Sequence, residues 1–283
     1  MHSCEKELYL HHNMPHMKNT LLSIVLFIMS NILFGQDFID AQPVGGNQQL
    51  HYFINQELTY PREMIDQNIE GKVYFIFDID ENGHTSGIRN VQSPDERAFN
   101  ETIRIFKLIE WAPATLRGFP VKSIKHFEID FNIKKYNRIC KARGYTTIIN
   151  PYEPVDTSGK VYWYKNLHTA PYPIFADKKM TLAGYIAANL EYPDAAIRQN
   201  VSGVVKLSFI VETNGKISNV LTVNSVGAGC NEEAIRMLYL IKWMPGVFDD
   251  KAVRTRTSMS ISFSLDQGPD GIFNPVVKSS YGG

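Results

Sequence analysis

The sequence predicts an α+β protein: two tandem copies of one small domain, each a three-stranded antiparallel sheet with a helix packed on one face. Three observations carry this. The chain matches itself when slid by 132 positions, Trp111 falling on Trp243. Both copies place Asn-Gly between two β-rich runs, and both end in a segment whose apolar and polar residues alternate.

The duplication comes first, because a missed repeat misassigns a whole fold. "LHYFINQELTYPREMIDQNIEGKVYFIFDIDENGHTSGIRNV" from Leu50 lies without a gap over "LAGYIAANLEYPDAAIRQNVSGVVKLSFIVETNGKISNVLTV" from Leu182. "ETIRIFKLIEWAP" from Glu101 lies over "EAIRMLYLIKWMP" from Glu233, and the match closes with Val121/Val253, Ile129/Ile261 and Phe131/Phe263.

One copy then reads element by element. Leu50, Phe53, Ile54 and Leu58 recur at helical spacing, as do Leu182, Tyr185, Ile186 and Leu190. Tyr60-Pro61 ends that helix, and Pro61 suits the first turn of a short second one reaching Asn68. Val73 to Ile79 is the first strand, and Ile88 to Val91 belongs to the second. A longer helix runs from about Glu96 to Glu110, with Ile103, Phe106 and Ile109 on one side, until Trp111-Ala112-Pro113 stops it. The third strand spans Ser123 to Ile133. There Phe127, Ile129, Phe131 and Ile133 alternate with His126, Glu128, Asp130 and Asn132. In copy two Met259, Ile261, Phe263 and Leu265 alternate with Ser258, Ser260, Ser262 and Ser264. Period two with one apolar side means a half-buried strand.

"FDIDENGHTSGIR", from Phe77, opens like a calcium loop, with Asp78, Asp80, Asn82 and Gly83 in place. Such a loop needs a bidentate Glu at its twelfth position and helical flanks. Here the twelfth residue is Arg89, and the flanks are β-rich. Copy two keeps Asn214-Gly215 but replaces Asp78 by Ile210 and Asp80 by Glu212. Both copies retain the turn and not the ligand set. The stretch reads as a hairpin.

From Met17 the chain runs "MKNTLLSIVLFIMSNILFGQ": a Lys, then an apolar stretch from Leu21 to Phe34. That stretch fits a signal-peptide core and falls short of the roughly 20 residues that cross a bilayer. Met17 reads as the true start, with cleavage after about Gly35; an uncleaved leader would leave an inner-membrane anchor. The expected organisation is an amino-terminal extension and leader over 1–35, a first repeat over 43–133, a linker over 134–174, a second repeat over 175–265 and a tail over 266–283. In the linker, "KKYNRICKAR" reads as a solvated basic connector, and "KVYWYKNL" as a possible extra strand.

Composition excludes several functions. The 283 residues carry 29 basic and 29 acidic side chains, and 44% are hydrophobic. A chain without a basic surplus does not suit nucleic acid. Three cysteines, Cys4, Cys140 and Cys230, have no metal spacing and make no disulfide framework. Neither His84 nor His126 is matched by a histidine in the other copy, and no nucleophile motif or glycine-rich phosphate loop is present. No catalysis, metal or cofactor is expected.

The ordered set Tyr60, Pro61, Gly71, Val73, Gly83, Ser93, Arg104, Trp111, Pro113 and Phe131 resembles the carboxy-terminal domain of the TonB family. It recurs as Tyr192, Pro193, Gly203, Val205, Gly215, Ser225, Arg236, Trp243, Pro245 and Phe263. The resemblance implies a periplasmic envelope protein of Gram-negative bacteria that takes part in energy transduction and transport, performs no bond chemistry and holds no cofactor. Its partners would be TonB-dependent outer-membrane receptors or other envelope proteins, bound as an extra strand on the sheet edge. Inner-membrane proton-motor proteins would join them if the leader were retained. On that implication the partner-binding residues lie on the last strands: His126, Glu128 and Asp130 in copy one, and Ser258, Ser260, Ser262 and Ser264 in copy two. Backbone hydrogen bonds at roughly 0.5–1.5 kcal/mol each would give weak, reversible binding. The family's long spacer is missing, since copy one follows the leader almost directly. The alternative is a structural envelope adaptor that binds peptidoglycan or bridges complexes, with two copies giving avidity.

Overall fold

The computed structural model describes residues 37–148, 150–267 and 273–281, with side chains as far as 265. The leader, its cleavage point, Cys4 and the choice of start therefore lie outside the described residues.

The first repeat opens with two short strands, β1 (Phe38–Ile39) and β2 (Gln42–Pro43), and two helices, α1 (Gly46–Glu57) and α2 (Arg62–Asp66). Strands β3 (Gly71–Ile79) and β4 (Thr85–Gln92) follow, then α3 (Glu96–Phe106), the short strands β5 (Trp111–Ala112), β6 (Ala114–Leu116) and β7 (Phe119–Val121), and β8 (Ser123–Phe131). The main sheet has the order β4-β3-β8, all antiparallel. Alternation along β3 and β8 turns Val73, Phe75, Phe77, Phe127, Ile129 and Phe131 inward, where α3 covers them. The rings of Phe75 and Phe106 meet edge to face at 5.1 Å, and Phe77 meets Phe106 at 4.7 Å. Each such buried aromatic contributes about 1.5–3 kcal/mol from area alone.

The turn after β3 is the hairpin that the repeat predicts. The Asp80 carboxylate accepts the backbone N–H of Asn82 (2.9 Å) and of His84 (2.8 Å), while Gly83 takes φ 84°. Asp78 is spent on Arg89 across the hairpin, through two bonds of 2.8 and 2.9 Å. The residue that disqualifies a calcium loop is thus the partner of its would-be first ligand. Among the described residues no group of three or more potential metal ligands comes together.

Past β8 the structure departs from the expected solvated connector. "KKYNRICKAR" lies within helix α4 (Ile133–Arg143), which buries Tyr136 and Cys140 in the first repeat's core. Arg143 folds back to donate to the carbonyls of Asn55 and Leu58, both at 2.8 Å, closing the end of α1. Five basic residues in a row of ten hide a two-residue apolar stripe, which charge density alone conceals.

The second repeat follows through β9 (Val161–Trp163), β10 (Tyr172–Ile174), α5 (Leu182–Asn189), α6 (Asp194–Arg198), β11 (Gly203–Val211), β12 (Ile217–Asn224), α7 (Cys230–Leu240), β13 (Lys242–Met244), β14 (Gly246–Phe248), β15 (Lys251–Gln267) and β16 (Phe273–Tyr281). The order β12-β11-β15 repeats that of the first sheet, but β9, β14 and β16 all join β15, so this sheet has six strands where three are expected. "KVYWYKNL" supplies β9, parallel to Arg254–Arg256. Cys140 and Cys230 are free and buried in separate cores.

The repeats pack on each other through side chains that differ between them. Asn219 on β12 accepts the backbone N–H of Glu110 and donates to the Leu108 carbonyl, both at 2.8 Å. Arg256 pairs with Glu110. The rings of Tyr52 on α1 and Tyr239 on α7 lie 3.9 Å apart, and the Tyr239 hydroxyl donates to Gln49 at 2.9 Å. The Asn214 side chain donates to Glu57, a fully buried carboxylate whose counterpart in the second repeat is Asn189.

Candidate partner-binding edge

The residues shared by both repeats build the scaffold. A Cβ at Gly83 would stand 2.2 Å from the Trp111 carbonyl oxygen, and one at Gly215 would stand 2.3 Å from that of Trp243. Both glycines also take positive φ, so turn and tryptophan can meet only if the residue is Gly. Trp111 and Trp243 are core residues, 7% and 2% exposed. Pro113 follows β5 against Gly83, and Pro245 separates β13 from β14. Gly71 and Gly203 open β3 and β11 against Pro94 and Val226.

Tyr60 and Tyr192 anchor the bend before α2 and α6, which Pro61 and Pro193 begin. Their hydroxyls donate to the carbonyls of Ile69 (2.7 Å) and Val201 (2.8 Å). Their rings stand edge to face on Phe131 and Phe263, at 5.3 and 5.5 Å. Arg104 and Arg236 each hold the glutamate three residues earlier, Glu101 or Glu233, and donate at 2.7 Å to the carbonyl of Glu57 or Asn189 at the end of the first helix. Glu101 in turn accepts the Thr59 N–H, and Glu233 the Glu191 N–H. These charged residues cap a helix in each repeat rather than awaiting a ligand.

The partner candidates sit on β8 and β15. On β8, His126, Glu128 and Asp130 are exposed and lean toward β3 or α4. His126 stacks on Tyr74 at 5.4 Å, Lys72 reaches Glu128 at 3.0 Å, and Lys135 lies 3.8 Å from Asp130. The backbone of β8 pairs with β3 in unbroken register from Gly71↔Phe131 to Ile79↔Ser123. Among the described residues no strand pairs with its other edge.

A cleft of about 560 Å³ runs along that edge. It is lined by Lys125 to Glu128 of β8, by Leu50, His51 and Ile54 of α1, and by Trp111. The Trp111 Nε1–H is buried without an acceptor. Ile39 to Pro43 also line it, and Lys125 pairs with Asp40 at 2.5 Å. Nothing in the sequence reading points to this cleft: the expected first repeat begins at 43, which leaves out Ile39 to Gln42, and α1 is read only from the helical spacing of Leu50, Phe53, Ile54 and Leu58.

The other edge of the first sheet, β4, is a poorer template. Its pairing with β3 slips twice, between Tyr74 and Phe75 and between Ile76 and Asp78. Bulges twist an edge away from further pairing.

On β15 the serines Ser258, Ser260, Ser262 and Ser264 are brought to a strand whose outer edge is already paired. Strand β16 runs antiparallel along it, from Met259↔Tyr281 to Gln267↔Phe273. Strand β9 covers Arg254–Arg256 on β15. The tail that sequence left unassigned thus occupies the place that a partner strand would take.

The profile described as Gram-negative bacterial TonB protein C-terminal matches residues 56–133 and again residues 188–265. The chain belongs to that family. Together the two matches cover more than half of it, and each spans its repeat from the end of the first helix to the last long strand. No curated protein matches the sequence. TonB carboxy-terminal domains act in the envelope as energy-transduction and protein-interaction modules and are not enzymes. Among the described residues no helix is long and apolar enough to cross a membrane.

Proposed function

We propose that this protein is a periplasmic TonB-like module whose first repeat takes an extended segment of an outer-membrane receptor, or of another envelope protein, as an added strand on β8. The observation that carries the reading is the second repeat. Its β15 accepts a strand along nine register pairs, five of which, Met259 to Phe263, lie at the positions of Phe127 to Phe131 on β8, and this supports addition there. On β8 the same edge is regular and, among the described residues, unpaired, and the cleft beside it offers both apolar residues, Leu50, Ile54 and Trp111, and polar ones, Lys125 and Glu128, to the side chains of an incoming strand. Four or five backbone hydrogen bonds, at roughly 0.5–1.5 kcal/mol net each, amount to a few kcal/mol before association costs. Such binding is reversible, as transient coupling to a transport partner requires.

A photo-crosslinking residue at Glu128 in the native cell tests this, with a second at Ser260 for comparison. Capture of outer-membrane receptors from Glu128 supports strand addition. Capture of wall polymer alone would sink it and favour the structural adaptor.

A further inference from the structure

We infer that β16 is the resident partner strand of the second repeat, so that the chain offers one edge to an extended partner rather than two. Releasing β16 would create a second site for the same class of backbone-paired segment. This goes beyond the reading of the first repeat and does not depend on which protein β8 binds.

The argument begins with equivalence. Strand β8 corresponds to Thr255–Phe263 of the longer β15, and over that span each pairs in unbroken register with the counterpart strand, β3 or β11. A segment able to add to one should meet the same backbone geometry on the other. On β15 that segment is present, and it comes from the same chain. The helix equivalent to α1, which lines the cleft, is α5, and it lies against β16. The space that is a cleft in the first repeat is therefore occupied in the second.

Side-chain chemistry along the two edges agrees with this division. Sheets protect open edges with charge, because unpaired N–H and C=O groups otherwise recruit stray strands. The outward row of β8 carries His126, Glu128 and Asp130, whereas the corresponding positions of β15 are Ser258, Ser260 and Ser262. An uncharged row would be a hazard on an exposed edge and is harmless on a covered one. The protective devices appear one strand further out. Strand β16 carries Pro275 and Lys278, and proline is tolerated in sheets chiefly on edge strands. The six-stranded sheet thus ends at β16 with the features expected of a terminus.

Occupancy also changes what duplication achieves. Two open copies would give a bivalent binder with an avidity gain. One open and one closed copy give a monovalent binder. The second repeat then serves as a platform that buttresses the first through Asn219 and Arg254.

The test compares the full chain with one ending at Gln267, each carrying a photo-crosslinking residue at Ser262. The probe is a labelled synthetic peptide of residues 270–283. In register Ser262 faces Lys278. The shortened chain should capture at least tenfold more peptide than the full chain, which already holds its own strand. Should the shortened chain fail to fold, Val276→Pro in the full chain weakens the same strand by removing a backbone N–H that faces β15, since the N–H direction alternates and Pro275 already occupies a position facing away, and it should raise capture severalfold. Equal capture by the parent and the opened variant, or no capture by a folded opened variant, would overturn the inference.

Discussion

Arg254 and Glu212 are joined by two hydrogen bonds, of 2.7 and 2.9 Å, with the side chains only 7% and 4% exposed. The same guanidinium donates to the Leu108 carbonyl at 2.8 Å, so a buried ion pair inside the second repeat also holds the first. Burying two charges is costly, and removing one partner leaves the other uncompensated.

Arg254→Ala should therefore destabilise the protein by about 3–5 kcal/mol. It should also loosen the junction, because Asn219 alone would then hold Leu108. Calorimetry should show one cooperative transition in the parent chain and two in the variant. A single transition in both, with equal midpoints, would remove Arg254 from the junction.

Gly83→Ala and Gly215→Ala should each cost about 2 kcal/mol or more, since an L side chain at positive φ costs about 1–2 kcal/mol and the Trp carbonyl stands in its way. Gly118 also takes positive φ, yet a Cβ there meets nothing. Gly118→Ala should thus cost only the conformational part. Urea midpoints of the three variants, at unchanged slope, measure the difference.

Glu57 carries a pH signature. Burial raises its carboxyl above the ordinary value of 4.5, outweighing the opposing pull of Arg104. The folded state therefore holds this proton more tightly than the unfolded chain does. Its contribution is fully present below 4.5 and is lost as pH climbs through the raised value. Glu57→Gln keeps an acceptor for Asn214 and removes the titration. As pH rises above 4.5, stability of the variant should fall less than that of the parent. Parallel curves would show that Glu57 titrates normally.

Calcium should leave the thermal midpoint unchanged. Hydrogen bonding from Arg89 holds the Asp78 carboxyl below its ordinary range, and backbone N–H groups do the same for Asp80. Both carboxylates are engaged with this hairpin. A calcium-dependent rise in midpoint would revive the loop reading of Asp78–Arg89.

The retained residues proved to be those whose physics is local. Asn-Gly between β-rich runs, alternation along Phe127–Phe131 and the Pro that begins each short helix all act within a few residues, so their meaning is written in order along the chain. Duplication made them firmer: where Asp78 became Ile210 but Gly83 remained Gly215, the sequence distinguished turn from ligand by itself. The misread segments depend on distant partners. Helix α4 looks like a charged connector until Tyr136 and Cys140 meet a core formed many residues earlier. The tail, with Pro275 in its middle, gives a weak strand signal until β15 offers it an edge.

By itself the sequence determined that this is a twice-repeated TonB carboxy-terminal domain, with Gly83 and Gly215, Trp111 and Trp243, and Tyr60 and Tyr192 as its framework. Only the tertiary structure decided that the repeats are unequal. The β8 edge is open over a cleft while the β15 edge is closed by the chain's own β16, and Arg254 and Asn219 of one copy grip Leu108 of the other. The reason is physical: a strand's side-chain pattern specifies which face it buries, but nothing in that pattern states which of its two edges finds a neighbour.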